Sequence, residues 1–412
     1  MEKQLGKPKM VIAVSEASTM ATLAKDQTAF FVKHGFEVHI LAKADGTEQF
    51  IIDEGAAFHN IGFKRALSPF ADIKAICQVT KLFKKIKPDI IQLMTTKPSF
   101  VGGIAGRLTG VPLIIRHKWG YLRECNYSGV KKFLLFTTDK ACNKLAHRVV
   151  AICHKLLEAE VRAGAINPKK AIVFGSGSDN GVDLNRFKRT PELIERGKVI
   201  REKLQILPTA PVLGTVMRIN IEKGITELIL AFRLLSERYP NSRLIIVGEF
   251  DIRNLPNEDI ISEIKNNTRI HHVGFQKNIE DYFAAMDIFV MPSYREGFCK
   301  SNIEASSMEL PVVSTNIIGC SESVKDGVSG ILVPPRTVQP LADAIEKLLV
   351  DKELVKKLGT QGRQRAENEF DQKFVWHNQL RDICQLLKDK DIKPPVEPEK
   401  IVGNLCPLCN RC

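Results

Sequence analysis

A chain of 412 residues is long for one ordinary domain and short for three, so two compact units of roughly 150–200 residues each are expected. With 44% hydrophobic and 26% charged residues, 27 Gly and 20 Pro, it carries enough apolar surface for full cores, which excludes disordered, collagen-like and coiled-coil classes. The net charge of +13 is uneven: residues 1–190 hold 30 Lys and Arg against 16 Asp and Glu, and the remainder 30 against 31, so the first half is suited to face a polyanion or an anionic membrane.

Near the N-terminus an apolar stretch over 10–14 is closed by Ser15 and Glu16, too short for the apolar core of a secretory leader. No run reaches the ~18–20 apolar residues of a spanning helix, so a cytoplasmic protein is expected. From Lys9 the chain alternates short β-branched runs with segments that are apolar at every third or fourth position. Strand 10–14 precedes helix 21–34, then strand 37–41; strand 90–94 precedes helix 101–108, then strand 112–116; strand 148–152 precedes helix 155–163. That rhythm predicts parallel strands joined by crossover helices. After strand 171–174, residues 175–181 are dense in turn formers and a charged helix follows at 191–204, so the first domain is set at 1–190.

The rhythm restarts with strands 212–217, 243–247, 270–273, 287–291 and 312–315 alternating with helices 224–239, 259–266, 279–285 and 301–309. A second doubly wound domain is therefore expected over 191–373. A long helix at 374–387 follows, and 391–412, with Pro394, Pro395 and Pro398, reads as an extended tail. Ligands of such sheets bind at strand C-termini, which places the active site in a cleft between the two domains. Neither Gly-x-Gly-x-x-Gly nor Gly-x-x-x-x-Gly-Lys-Ser/Thr follows a first strand, which disfavours dinucleotide dehydrogenases and phosphate-loop NTPases.

Two basic stretches have apolar neighbours, Lys81-Leu82-Phe83-Lys84-Lys85-Ile86-Lys87 and Lys131-Lys132-Phe133-Leu134-Leu135-Phe136. Either can be an amphipathic face lying on an anionic membrane, or a solvated basic face whose Phe and Leu turn to the core. With the charge asymmetry, a peripheral membrane face is the expectation. Nucleic acid is not expected, since zinc-finger spacing, aromatic-basic strand motifs and an Arg-rich arm are all missing. Of ten cysteines, Cys77, Cys142, Cys153 and Cys384 read as buried reduced thiols. Cys406, Cys409 and Cys412 give three thiolates where a closed zinc site wants four, leaving an intermolecular site or an adventitious end.

The strongest local signal is Arg295-Glu296-Gly297-Phe298-Cys299-Lys300-Ser301-Asn302-Ile303-Glu304, directly after a strand. A helix starting near Lys300 or Ser301 aims its free N–H groups and positive dipole end at a ligand such as a diphosphate, and Gly297 lets it approach. Glu304 has two readings: a carboxylate that accepts both hydroxyls of a ribose, or the far half of a Ser301-x-x-Glu304 capping box. Arg218 and Lys223, in Met217-Arg218-Ile219-Asn220-Ile221-Glu222-Lys223-Gly224, supply full cations beside the same helix start.

These residues resemble a known family. Glu296 and Glu304, with seven residues between them, resemble the Glu-x7-Glu element of retaining family-4 glycosyltransferases of the GT-B fold. Arg218 with Lys223-Gly224, Val247-Gly248, Val273-Gly274-Phe275, Leu310-Pro311-Val312-Val313-Ser314-Thr315 and Asp326-Gly327-Val328-Ser329-Gly330 stand in the family's order. The resemblance implies two Rossmann-like α/β domains facing across a cleft, with acceptor bound by 1–190, nucleotide-sugar by 191–373, and helix 374–390 crossing back. Glu304 would bind the ribose, and Arg218 and Lys223 the diphosphate. Glu296 and the backbone of Gly297, Phe298 and Cys299 would bind the donor sugar and its leaving phosphate, and Val273 and Gly274 would read the base. No metal or other cofactor is implied.

His59-Asn60-Ile61-Gly62-Phe63-Lys64-Arg65, Thr96-Lys97-Pro98-Ser99 and Gly177-Ser178-Asp179-Asn180-Gly181 resemble the subgroup that builds bacterial surface polysaccharides. The implied reaction moves a sugar from a nucleotide-sugar, UDP-linked, to a lipid-linked saccharide, by a protein held peripherally on the inner face of the cell membrane. A nucleotide-sugar epimerase or hydrolase of the same fold, and a non-catalytic nucleotide-sugar-binding protein, are the alternatives. Where relatives place His-Gly, this chain reads Arg116-His117-Lys118-Trp119-Gly120, so Trp119 stands at the family's histidine and His117 becomes the candidate polar group near the reacting carbon.

Overall fold

Strand β1 (Lys9–Glu16) sends Met10, Ile12 and Val14 into one buried apolar cluster and Val11 and Ala13 into another, the two-residue period of a strand covered on both faces. The computed structural model describes residues 6–63, 68–120 and 129–401, the side chain of Lys131 apart. Two compact units are formed, the first from residues up to Gly181 together with those from Lys373, the second from Val182–Gln372.

Unit 1 continues through α1 (Ser18–Leu23), α2 (Gln27–Lys33), β2 (Glu37–Lys43), α3 (Glu48–Asp53), β3 (Ala57–Asn60), α4 (Pro69–Ile86) and β4 (Ile90–Leu93). It then runs through α5 (Thr96–Leu108), β5 (Leu113–Lys118), α6 (Gly129–Leu145), β6 (Arg148–Ala151), α7 (His154–Arg162) and β7 (Ala171–Ile172). Its strands pair in parallel in the order β3-β2-β1-β4-β5-β6-β7. Unit 2 holds α8 (Pro191–Lys203), β8 (Val212–Val216), α9 (Ile225–Arg238), β9 (Arg243–Val247), α10 (Glu258–Asn266), β10 (Ile270–His272) and α11 (Ile279–Ala285). It ends with β11 (Ile288–Met291), α12 (Lys300–Ser307), β12 (Val312–Thr315), α13 (Ile318–Ser323), β13 (Gly330–Val333), α14 (Val338–Val350) and α15 (Lys352–Glu369). The second sheet is parallel in the order β10-β9-β8-β11-β12-β13. Both sheets are doubly wound, reversing between β1 and β4 and between β8 and β11, as the strand–helix rhythm predicts.

Helix α16 (Gln372–Lys388) packs on unit 1: Leu380, Ile383, Cys384 and Leu387 join the cluster of Met10 and Ile12, and Asp382 pairs with Arg148 at 2.6 Å. The following segment is not a loose extension. Ile392 and Val396 rest on that cluster, a 3-10 turn forms at Pro398–Lys400, and Arg381 holds the carbonyl of buried Ile401 at 2.6 Å. The Cys406, Cys409 and Cys412 motif, like Lys64 and Arg65, lies outside the described residues.

Three local expectations change. The single helix at 21–34 is two, because Asp26 takes a left-handed φ of 65° while its N–H bonds Glu54 at 2.7 Å, which ends one helix and starts the next. Cys77 is exposed, since it falls off the α4 face that buries Ala75, Val79 and Phe83; Cys142, Cys153 and Cys384 are buried free thiols. The stretch 81–87 is a solvated basic face: Phe83 and Ile86 point into the core while Lys81, Lys84, Lys85 and Lys87 are exposed. The second stretch behaves differently. Val130, Phe133 and Leu134, at the start of α6, are 74%, 66% and 45% exposed.

Candidate functional site

In unit 2 the sheet reverses between β8 and β11, and the candidate residues follow the C-terminal ends of β8, β10 and β11, where such sheets take ligands. After β8, Asn220 caps a 3-10 turn at Ile221–Lys223, its side chain accepting from Lys223 N–H at 2.9 Å. Gly224 ends the turn with φ +72°, and a Cβ there would stand 2.0 Å from the Pro292 carbonyl. Only glycine lets the two segments touch.

That contact brings together two of the expected residues. Lys223 Nζ donates to Glu296 Oε1, with both side chains largely buried. Burial pulls the Lys223 ammonium toward neutrality, and the Glu296 carboxylate beside it overcomes that and holds its pKa above the ordinary value. Arg218 does not join them. Its Nη1 bonds Asp251 Oδ2 at 3.0 Å, and Arg253 grips both oxygens of the same carboxylate at 2.8 Å, so Asp251 is held well below the usual carboxylate range. Arg218 stays 63% exposed and able to turn toward a phosphate.

The loop from β11 leads into α12, whose N-cap is Cys299, with no side chain capping it. The Cys299 thiol is buried against Cys320, and that hydrogen bond together with burial pushes its pKa well up. Phe298 turns inward onto Phe370, ring centroids 5.5 Å apart, so its backbone rather than its ring is on the ligand side. The capping box does not form: Ser301 Oγ donates to the Val216 carbonyl at 3.1 Å, and the helix begins one residue earlier, at Lys300. Glu304 therefore lies in the second turn, only 6% exposed, paired with Lys300 at 3.7 Å, and burial raises its pKa.

Val273 and Gly274 follow β10 directly. Val273 N–H bonds Ile246 O at 3.0 Å, its carbonyl accepts from Gln276 at 2.6 Å, and Gly274 O accepts from Gly248 N–H at 2.8 Å. These bonds fix a turn at the sheet edge with Gly274 at φ +67°.

In unit 1, His117 is 3% exposed and both ring nitrogens are occupied, Nδ1 by Asp179 at 2.7 Å and Nε2 by Gln92 at 2.8 Å. His117 thereby anchors Asp179, whose other oxygen accepts from the Trp119 indole at 2.8 Å. Residue spacing could not reveal Asp179 as the partner of His117 or Asp251 as the partner of Arg218, because each contact joins segments far apart in the chain. The i,i+4 spacing of Lys300 and Glu304 was the one legible signal. Among the described residues, no group of three or more His, Cys, Asp or Glu is arranged to hold a metal ion, and no helix is long and apolar enough to cross a membrane.

Residues 198–365 match the family of glycosyl transferases group 1, and residues 11–147 match glycosyl transferase 4-like proteins. The capsular polysaccharide biosynthesis glycosyltransferase CapM of Staphylococcus aureus is 30% identical over 371 residues, 90% of this chain and 96% of its own. The UDP-Gal:alpha-D-GlcNAc-diphosphoundecaprenol alpha-1,3-galactosyltransferase of Escherichia coli is 26% identical over 77% of this chain and 81% of its own. In fold, the chain is similar to Anabaena Alr3699/HepE, solved in complex with UDP and glucose, with a TM-score of 0.75 at 22% identity, covering 92% of this chain and 99% of that one.

Proposed function

Because the chain belongs to the group 1 glycosyltransferases of bacterial polysaccharide biosynthesis, we propose that it moves a sugar from a UDP-sugar to a lipid-linked saccharide, with retention at the anomeric carbon. The observation that carries this reading is Glu304, a buried carboxylate in the second turn of a helix with an uncapped start. Ionised and paired only with Lys300 among the described residues, it costs stability unless a ligand hydrogen-bonds it. A ribose diol does so with two O–H donors. The diphosphate then falls on the first-turn N–H groups of α12, beside Lys223, with Arg218 able to leave Asp251 for it.

Glu296 is neutralised by Lys223, which suits it to fixing a donor sugar rather than attacking it. The acceptor hydroxyl attacks the anomeric carbon from the face the diphosphate leaves. The new C–O bond forms as the C–O bond to phosphate breaks, and the hydroxyl proton passes to the departing phosphate oxygen. Positioning and stabilisation of that oxygen's charge provide the rate. The E. coli relative names a diphosphoundecaprenol acceptor, which supports a polyprenyl-diphosphate sugar held by unit 1. Mass spectrometry after incubation with nucleotide sugars and membrane lipid extract tests the proposal. A glycosylated lipid supports it, and release or epimerisation of the sugar without any acceptor refutes it.

We also hold that Lys223 and Arg218 make a metal unnecessary, so transfer is expected to be unchanged in excess EDTA; a loss restored by Mg2+ or Mn2+ overturns this. For the membrane, the candidate surface moves to the N-terminal ends of α4 and α6, both at the strand C-terminal edge of sheet 1. Phe70 and Ile73 of α4, 90% and 60% exposed, add to Val130 and Phe133 of α6 beside exposed Lys132. Aromatic side chains dip below lysines at such an interface. The Phe70→Ser/Phe133→Ser variant is expected to bind phosphatidylglycerol vesicles at least ~10-fold more weakly in flotation, with an unchanged Tm. Equal flotation of variant and wild type removes this surface from consideration.

A further inference from the structure

Two segments of unit 2 meet at the site, the turn around 220–224 after β8 and the loop 292–299 after β11, and their facing side chains carry reversed charges at consecutive positions. Arg295 Nη2 donates to Glu222 Oε2 at 2.8 Å, and beside that pair Lys223 donates to Glu296. A slip of one residue sets Lys223 against Arg295 in one direction or Glu222 against Glu296 in the other, like against like either way, which disfavours both neighbouring registers. Backbone contacts follow the same register: the Tyr294 N–H and the Ser293 hydroxyl both donate to the Glu222 carbonyl, at 2.8 and 3.2 Å. The inner pair is the drier, with side chains 18% and 14% exposed, whereas those of Glu222 and Arg295 are 33% and 30% exposed.

We propose that Glu222 and Arg295 are positioning residues: their ion pair is a latch that sets the register in which Lys223 stands beside Glu296, and so presents the Lys223 ammonium to the donor diphosphate. This rests on the assignment of Lys223 to the diphosphate made above. The latch works through Lys223, so breaking it lowers donor affinity and turnover together, and restoring the attraction with the charges exchanged restores both.

The test uses the full chain carrying Glu222→Arg, Arg295→Glu, both together, and separately Lys223→Ala, with UDP and GDP titrated by calorimetry and donor kinetics measured alongside. Each single reversal is expected to lower kcat/KM for the donor ~5–20-fold, with affinity for the nucleoside diphosphate falling in step, and the double variant to return to within about threefold of wild type. A double variant as impaired as the singles overturns the latch. So does a purely structural outcome, in which Tm shifts while nucleotide affinity per folded molecule stays constant. If the reversals do not fold, Glu222→Gln and Arg295→Gln remove the attraction without adding repulsion. The latch then predicts that the double neutral variant is no worse than either single one, and additive losses overturn it. Lys223→Ala separates the two ideas. If it keeps nucleotide affinity and turnover, the diphosphate assignment fails; if it loses both while the exchanged pair recovers nothing, the latch alone fails.

Discussion

Lys223→Ala is expected to lower kcat/KM for sugar transfer ~100–1000-fold, the range seen when one preorganised donor to a developing oxyanion is removed. The ammonium stands at the C-terminal edge of sheet 2, beside the start of α12, where the proposed reaction places the leaving diphosphate, and its charge is secured by Glu296. Substitution also strands the Glu296 carboxylate in a largely buried place, so Tm should fall as well. The Lys223→Ala/Glu296→Gln double variant separates the two effects: Tm recovers because no unpaired charge remains, while transfer stays lost. Steady-state kinetics and calorimetric melts check this. Recovery of transfer along with Tm would show that Lys223 serves the fold and not the reaction.

Glu304→Gln carries the second large effect, in two directions. On the proposed ribose assignment the substitution removes the charge-assisted bonds to the ribose hydroxyls, and at roughly 1.5–3 kcal/mol for such a bond the donor KM should rise ~10–100-fold. The ligand-free protein should become more stable. Burial raises the folded-state pKa of Glu304 above its ordinary 4.5, so folding favours the protonated form. The penalty is absent below about pH 4.5, grows as pH climbs through the raised value, and is fully present above it. Wild type therefore loses this increment between acid and neutral pH, and Glu304→Gln does not. Melting curves should show the variant above wild type at pH 8, with the gap closing toward pH 5. A gap independent of pH would assign the difference to packing instead.

The two sheets were legible because hydrophobic periodicity is local: 244–247 and 288–291 are apolar on both faces, as parallel strands under helices must be, and their residues are buried as expected. Elements such as α3, β3 and β13 are short, and their periodicity is too weak to read from the sequence. The two basic stretches read alike in sequence and differ in the structure, because α4 turns Phe83 into a core cluster while the N-terminal end of α6 leaves Phe133 exposed.

At the site the same division holds. The order Arg218, Lys223, Glu296, Glu304 identified the family and the kinds of group present. It did not show that Arg218 leans on Asp251, that Ser301 bonds β8 instead of capping α12, or that His117 is enclosed by Gln92 and Asp179. Alternation along strands and helices depends on neighbours within a turn or two, so composition and spacing determined the two doubly wound sheets. The state of each charged group depends on which distant segment packs against it and how much water that packing excludes. Those conditions arise only once β8 and β11 lie side by side, and so the tertiary structure decided them.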